Sequence, residues 1–268
     1  MAMPWVAALA LSFVGEGPPS LLDPVEKYLP EFSGLRVGRE VGEGIVYEPL
    51  KRPLTVYDLL RHTAGLTYGV FFRSPVKGLY LEAGVDRFDL SREVFLERLA
   101  ALPLRFQPGE TFEYGLATDL LGHLLEALAG RSLAELLEER LFRPLGMKDS
   151  GFQAKDPARL AQPFPKDPET GHSLRLLPVE TPPPRYAGGM GGVGTAADYL
   201  AFLEALRLGR GALSPTMAGF MVQDHLGSLY PEALKRGPEY LPGPGYSFGL
   251  GVAVRVEPMG YSPGALGE

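Results

Sequence analysis

The sequence predicts an α+β fold that is mainly helical, with an incomplete antiparallel sheet. Three observations carry this. Capped helical patterns fill the middle of the chain, strand patterns are confined to two stretches, and the second of these ends too near residue 268 for a partner strand to follow. A chain of 268 residues with 45% hydrophobic content can bury a substantial core. Helical patterns flank the proline-rich loops on both sides, so residues 1–268 are expected to form one domain, incomplete at both ends.

The first element is the apolar run over residues 4–14. It has no basic residues before it and no small-residue cleavage site after it, which argues against a secretory signal. It is too short to cross a bilayer, which needs about 20 apolar residues. A buried helix is expected. A short strand pair is expected within residues 35–47 around Gly42-Glu43-Gly44, and Thr55 followed by Asp58 opens a helix running towards Arg61. Leu120, Leu121, Leu124, Leu125 and Leu128 recur at helical period and stop at Gly130, a residue suited to a left-handed C-terminal cap.

Ser132 with Glu135, and Thr195 with Asp198, have capping-box spacing, the second with Asp in place of Glu. Residues 155–170 and Pro182-Pro183-Pro184 read as loops. Ser214-Pro215 sets a capping serine before a proline at the first helical position, where a missing N–H costs nothing. Alternating Phe248, Leu250, Val252 and Val254 predict one strand over residues 246–256, and the turn-rich residues 258–264 should lead into its partner.

Composition removes several function classes. The net charge is −6 and is spread along the chain, leaving no basic face for nucleic acid or an anionic membrane. Without cysteine there is no disulfide, thiolate nucleophile or cysteine zinc site. His62, His123, His172 and His225 include no pair at HExxH spacing, so no metal and no cofactor are expected. A cytoplasmic location is expected.

Four motif blocks follow one another along the chain. The first is Leu21-Leu22-Asp23-Pro24-Val25-Glu26-Lys27-Tyr28-Leu29-Pro30-Glu31-Phe32, and the second Leu59-Leu60-Arg61-His62-Thr63-Ala64-Gly65-Leu66. The third is Tyr114-Gly115-Leu116-Ala117-Thr118-Asp119-Leu120-Leu121-Gly122 with Arg143-Pro144-Leu145-Gly146-Met147 after it. The fourth is Gly188-Gly189-Met190-Gly191-Gly192-Val193-Gly194-Thr195-Ala196-Ala197-Asp198-Tyr199. Each block alone could be a capped helix with a glycine turn, but four in the right order are specific, and together they resemble the β-lactamase-related serine hydrolases, a family that includes class C β-lactamases, D-amino-acid peptidases and family VIII esterases, with the esterase branch the nearest.

The resemblance implies a β-lactamase/transpeptidase-like fold and acyl transfer through a serine ester. In that family a serine attacks a carbonyl, a lysine at SxxK spacing helps activate it, a tyrosine from a second motif shares the proton shuttling, and backbone N–H groups stabilise the oxyanion. Tyr114 stands at the tyrosine position. The family's Tyr-x-Asn reads Tyr114-Gly115-Leu116 here, so an amide is replaced by an apolar group, which points towards a small-molecule ester or amide substrate of the esterase type. Tyr68, Leu116, Gly188, Gly189 and Met190 are expected to line the substrate pocket, the glycines by letting backbone approach closely.

Residues 4–17 have the length of the family segment that follows SxxK, which fixes the register. Met3 then stands at the lysine position, and the serine would precede residue 1. Residues 262–268 resemble the lead-in to the third motif, Trp-Gly-Gly in the esterases, and the sequence stops before it. Both ends thus read as truncated, and the chain is expected to be inactive as given. Ser74-Pro75-Val76-Lys77 also has SxxK spacing, but no long apolar helix is evident after it, and His62 reads as a structural turn for want of a matched carboxylate. Two functions follow: a serine hydrolase with its chemistry cut away, or a non-catalytic binding module of the same fold.

Overall fold

The computed structural model describes residues 2–70, 74–173, 177–229 and 245–256. An uncharged, apolar run has one stable place in water, which is the core, and α1 (Ala2–Glu16) takes it. The helix carries no charge before Glu16, and nine of its residues are buried. Trp5 meets Phe142 edge-on, with ring centroids 5.0 Å apart. α5 (Ala117–Ala129) packs beside α1, with all of residues 117–125 buried, and it ends as expected on Gly130 at φ 64°.

β1 (Arg36–Val41) and β2 (Gly44–Pro49) form the expected antiparallel hairpin, with Val41 opposite Gly44 and Arg36 opposite Pro49. Thr55 and Asp58 make a reciprocal capping box on α2 (Val56–Leu60), and Ser132 and Glu135 make another on α6 (Leu133–Leu137). The Thr195 cap on α7 (Ala196–Leu208) works in one direction only. Thr195 accepts from the Asp198 amide, but the Asp198 carboxylate is turned away to accept from the Asp149 amide at 2.8 Å and the Ser150 hydroxyl at 2.9 Å. Ser214 and Pro215 start α8 (Pro215–Met221) as the sequence predicts.

Two helices were not expected. α3 (Pro75–Ala83) and α4 (Arg92–Ala100) are capped by Ser74 and Ser91. The predicted single strand over residues 246–256 is corrected to a tight hairpin, β3 (Tyr246–Phe248) against β4 (Ala253–Arg255), so the segment supplies its own partner. The break falls at two glycines. A Cβ on Gly249 would lie 2.5 Å from the Met221 carbonyl, and Gly251 has φ 75° and lies against Ala7 of α1. The predicted turn over 258–264 and the lead-in over 262–268 lie outside the described residues.

One apolar cluster runs from Ala2 through α5 and α6 to Leu250, so α1 lies at its centre. Among the described residues no helix is long and apolar enough to cross a membrane, and no group of three acidic or histidine side chains is set to hold a metal ion.

Candidate active site

The site is built where α2 ends. His62 follows the helix in a left-handed conformation, φ 56°, a region that non-glycine residues rarely occupy. Asp58, fully buried, anchors the turn by accepting from Arg52 at 2.6 and 2.8 Å and from the Thr63 hydroxyl at 2.9 Å. Burial opposes the charge on Asp58, but the bonds from Arg52 and Thr55 outweigh it and hold the carboxyl below its ordinary range. The Glu113 amide donates to the His62 carbonyl at 2.8 Å, which ties the turn to the loop leading to Tyr114.

The imidazole so placed becomes the hub of a ring cluster. His62 stacks on Tyr114 at 4.8 Å with 23° between planes, and Phe112 and Phe248 pack on it at 6.0 and 5.5 Å. Its Nε2 lies 3.2 Å from Met3 Sδ and 3.3 Å from Thr118 Oγ1. Burial depresses the imidazole to about 3, so it is neutral at physiological pH and acts as an aromatic plate. Met3 in the first turn of α1, His62 after α2, and Tyr114 and Thr118 at the start of α5 thus meet at one point.

Tyr68 lies 5.9 Å from Tyr114, and burial raises the phenols of both, with the Asp119 carboxylate adding to each. Asp119 is fully buried and pairs with Arg185 at 3.3 Å, the two side chains 1% and 2% exposed. Burial raises the Asp119 carboxyl, and Arg185 only partly offsets that. Asp86 accepts from the Gly69 amide at 2.9 Å, so a half-buried acidic group also holds the loop that bears Tyr68.

The predicted glycine stretch does bring backbone close, and the contacts it makes are with helices. A Cβ on Gly188 would fall 2.2 Å from the Thr118 carbonyl, one on Gly189 2.4 Å from Asp119 Oδ2, and one on Gly192 2.9 Å from the Trp5 ring. Leu116 is fully buried in the core cluster, and Tyr68 is 4% exposed. Met190 alone among the predicted pocket residues lines a large cleft of about 810 Å³, which passes along residues 190–195 and faces residues 154–161.

Sequence reasoning missed Asp119 and Arg185 as a pair. Its signal was a carboxylate set directly against the leucines of α5, since a buried charge demands a partner. Ser74 and Lys77 are accounted for structurally. The Ser74 hydroxyl caps α3 by accepting from the Lys77 amide, while the Lys77 ammonium, 5% exposed, lies 3.2 Å from Glu113.

A helical layer with short antiparallel hairpins, and a motif tyrosine set against the first turn of a buried helix, define a protein of the β-lactamase/transpeptidase fold. The chain belongs to the Beta-lactamase family, whose model matches residues 4–267. Esterase EstB of Burkholderia gladioli is 34% identical over an alignment of 275 residues that covers 95% of this chain and 65% of EstB. Lovastatin esterase of Penicillium rubens is 31% identical over 268 residues, with 96% of this chain and 65% of the esterase covered. Among solved structures, EstCE1, described as a hydrolase with promiscuous acyltransferase activity, superposes with a TM-score of 0.74 at 30% identity, covering 96% of this chain and 68% of EstCE1. Simvastatin synthase (LovD) from Aspergillus terreus shares the fold, with a TM-score of 0.77 at 24% identity. The chain spans about two thirds of the length of these curated relatives.

Proposed function

We propose that this chain carries part of the site of a serine hydrolase that cleaves or transfers the acyl group of small-molecule esters. The observation that carries the reading is the convergence of Tyr114, Met3 and Thr118 on the neutral ring of His62. In this reading a serine one turn ahead of Met3 attacks the ester carbonyl, its proton passes to the Tyr114 side of the cluster, and the alcohol leaves with a proton as the serine ester forms. Water or a second alcohol then attacks that ester and restores the serine. Leu116, fully buried, leaves the third position of the tyrosine motif without an amide to hold a β-lactam side chain, which supports esters over β-lactams.

Methionine at the position of the family's lysine has a thioether that cannot accept a proton at neutral pH. The chain of 268 residues is therefore expected to show no turnover. The same residue favours a second reading, a binding module that keeps the pocket without the chemistry, which calorimetry would reveal as saturable ester binding with no product.

The first reading is tested with a fluorophosphonate probe and intact-mass detection. The unaltered chain is expected to take up no phosphonate and to leave p-nitrophenyl butyrate intact. A variant with Met3→Lys and a serine fixed directly ahead of residue 1 is expected to label on that serine, and Tyr114→Phe in the same background to slow labelling by about a hundredfold. Labelling of Ser74 in the unaltered chain, or a folded Met3→Lys variant that stays unlabelled, would overturn it.

A further inference from the structure

Tyr199-Leu200-Ala201-Phe202-Leu203 sets five apolar residues in a row within α7, and at 3.6 residues per turn such a run goes all the way round a helix. Only part of it can face the core. Phe202 and Ala205 are buried, while Leu200, Leu203 and Leu208 are left outward with 59%, 44% and 40% exposure. α8 continues this surface. Gly209 caps α7 at φ 60°, and a Cβ on it would lie 2.4 Å from Pro215 Cα, so α8 starts against the end of α7. The two helices leave an open groove of about 450 Å³ between them, lined by Leu203, Leu208 and Val222 and by Pro215, Ala218 and Gly219.

Gly219 carries information about what the groove receives. It stands exposed inside α8, and a Cβ on it would meet no other part of the described chain within 4 Å. Glycine weakens a helix interior relative to alanine, and no contact within the described chain requires it here. A bare helix surface lets a second apolar ridge approach closely from outside.

The charges on the same face are reciprocal. Glu204 and Arg207 are both exposed and pair at 2.8 Å, so this face of α7 has no net charge on a chain whose net charge is −6. Two copies can approach here without like charges meeting. A two-fold axis between residues 205 and 206 that runs two α7 helices antiparallel sets Glu204 of each copy towards Arg207 of the other, and Leu203 towards Leu208. The pair that closes within one copy can thus close across two. With 13 residues α7 is about 20 Å long, and two adjacent helices are about 20 Å wide, so the face offers on the order of 500 Å² per copy. Two copies would bury about 1,000 Å², the lower bound for a specific interface.

We propose that the α7–α8 face joins two copies of this chain in a reversible, isologous dimer, with the Leu200–Leu203 ridge of each copy seated in the groove of the other. The modest area sets the dissociation constant in the range of about 10–100 μM. The groove shares no lining residue with the ring cluster around His62, and the dimer does not depend on the ester reading.

The test is sedimentation equilibrium on the unaltered chain from about 5 to 500 μM, where the mass should rise from that of one chain to that of two. Gly219→Gln fills the groove from a position that touches nothing else in the described chain, and should weaken association about tenfold while circular dichroism stays native. Glu204→Arg and Arg207→Glu should each weaken it about tenfold as well, because like charges then meet across the axis. An equimolar mixture of those two variants should restore association, since in the mixed dimer arginine faces glutamate at both points. No change inside one chain gives that rescue. A mass that stays at one chain throughout, as it would if another part of the chain covered the groove, would overturn the proposal. Growth beyond two copies, a dimer indifferent to Gly219→Gln, or a mixture that associates no better than its components would do the same.

Discussion

Two places in the molecule compete for the part of an activated serine, and they fail in opposite ways. Ser74-Pro75-Val76-Lys77 has the right letters, but each side chain is already engaged, the hydroxyl as the cap of α3 and the ammonium in a buried pair with Glu113. The first turn of α1 has the wrong letter for the proposed reading, Met3, but around it lie a neutral imidazole, Tyr114 stacked on that ring, and Gly192 close against the helix. The difference teaches that spacing nominates a site and that the partners of each group decide it. A serine that caps a helix keeps its lone pairs on backbone amides. A lysine paired with a buried carboxylate already has its ammonium engaged.

The largest effect expected from breaking this comparison is at Lys77. Glu113 is 8% exposed and is shared by Lys77 at 3.2 Å, Arg105 at 3.0 and 3.1 Å, and the Thr67 hydroxyl at 2.6 Å. Lys77→Met removes one of two cations from a buried carboxylate and should lower unfolding free energy by about 3 kcal/mol in a urea titration. An ammonium free for catalysis would be removed with little loss of stability, so a change near zero would reopen the Ser74 site.

The next effect belongs to the other place. The folded-state imidazole of His62 sits at about 3 against an ordinary 6.5, so below 6.5 the unfolded chain takes up a proton that the folded chain refuses. Stability from this group is full above pH 6.5 and is lost as pH falls towards 3, at up to about 1.4 kcal/mol per pH unit. Asp119 and Asp86, whose carboxyls burial raises, act with the opposite sign. The difference between the wild type and His62→Asn, which tolerates the left-handed turn, isolates the histidine. Between pH 6.5 and 5 the wild type should lose about 2 kcal/mol more than the variant. Parallel curves would mean that the ring is charged and is no inert plate for Met3 and Tyr114.

Much of the fold was legible because caps and glycine stops are local. Thr55 with Asp58, Ser132 with Glu135, Gly130 and Ser214-Pro215 each act within one turn of their own helix. α3 carries the same Ser–Pro signature at Ser74-Pro75 that revealed α8, but it also fits SxxK, and the chemical reading drew attention from the structural one. The β3–β4 hairpin hid because Phe248, Leu250, Val252 and Val254 alternate through the turn, while Gly249 and Gly251 are required there by contacts with Met221 and Ala7 from distant parts of the chain. Tyr114 and Met3 were nominated by motif and register, and the structure brings both to the His62 ring. The Asp119–Arg185 pair is separated by 66 positions, and nothing local announces which arginine a buried aspartate will find.

The smallest effect tests the serine itself. If the Ser74 hydroxyl does no more than accept from the Lys77 amide at 3.4 Å, Ser74→Ala should cost about 1 kcal/mol, the usual value of a lost N-cap. Ser74→Gly should cost only a few tenths, because an open backbone lets water reach the same amide. The ratio matters more than either number. A cap predicts the alanine variant to be the worse of the two, whereas a hydroxyl used in binding or acyl transfer would be missed equally in both. Ester affinity measured on the two variants separates the cases: unchanged binding leaves α1 as the only one of the two places with a claim to the chemistry, and a common loss would move the site to α3.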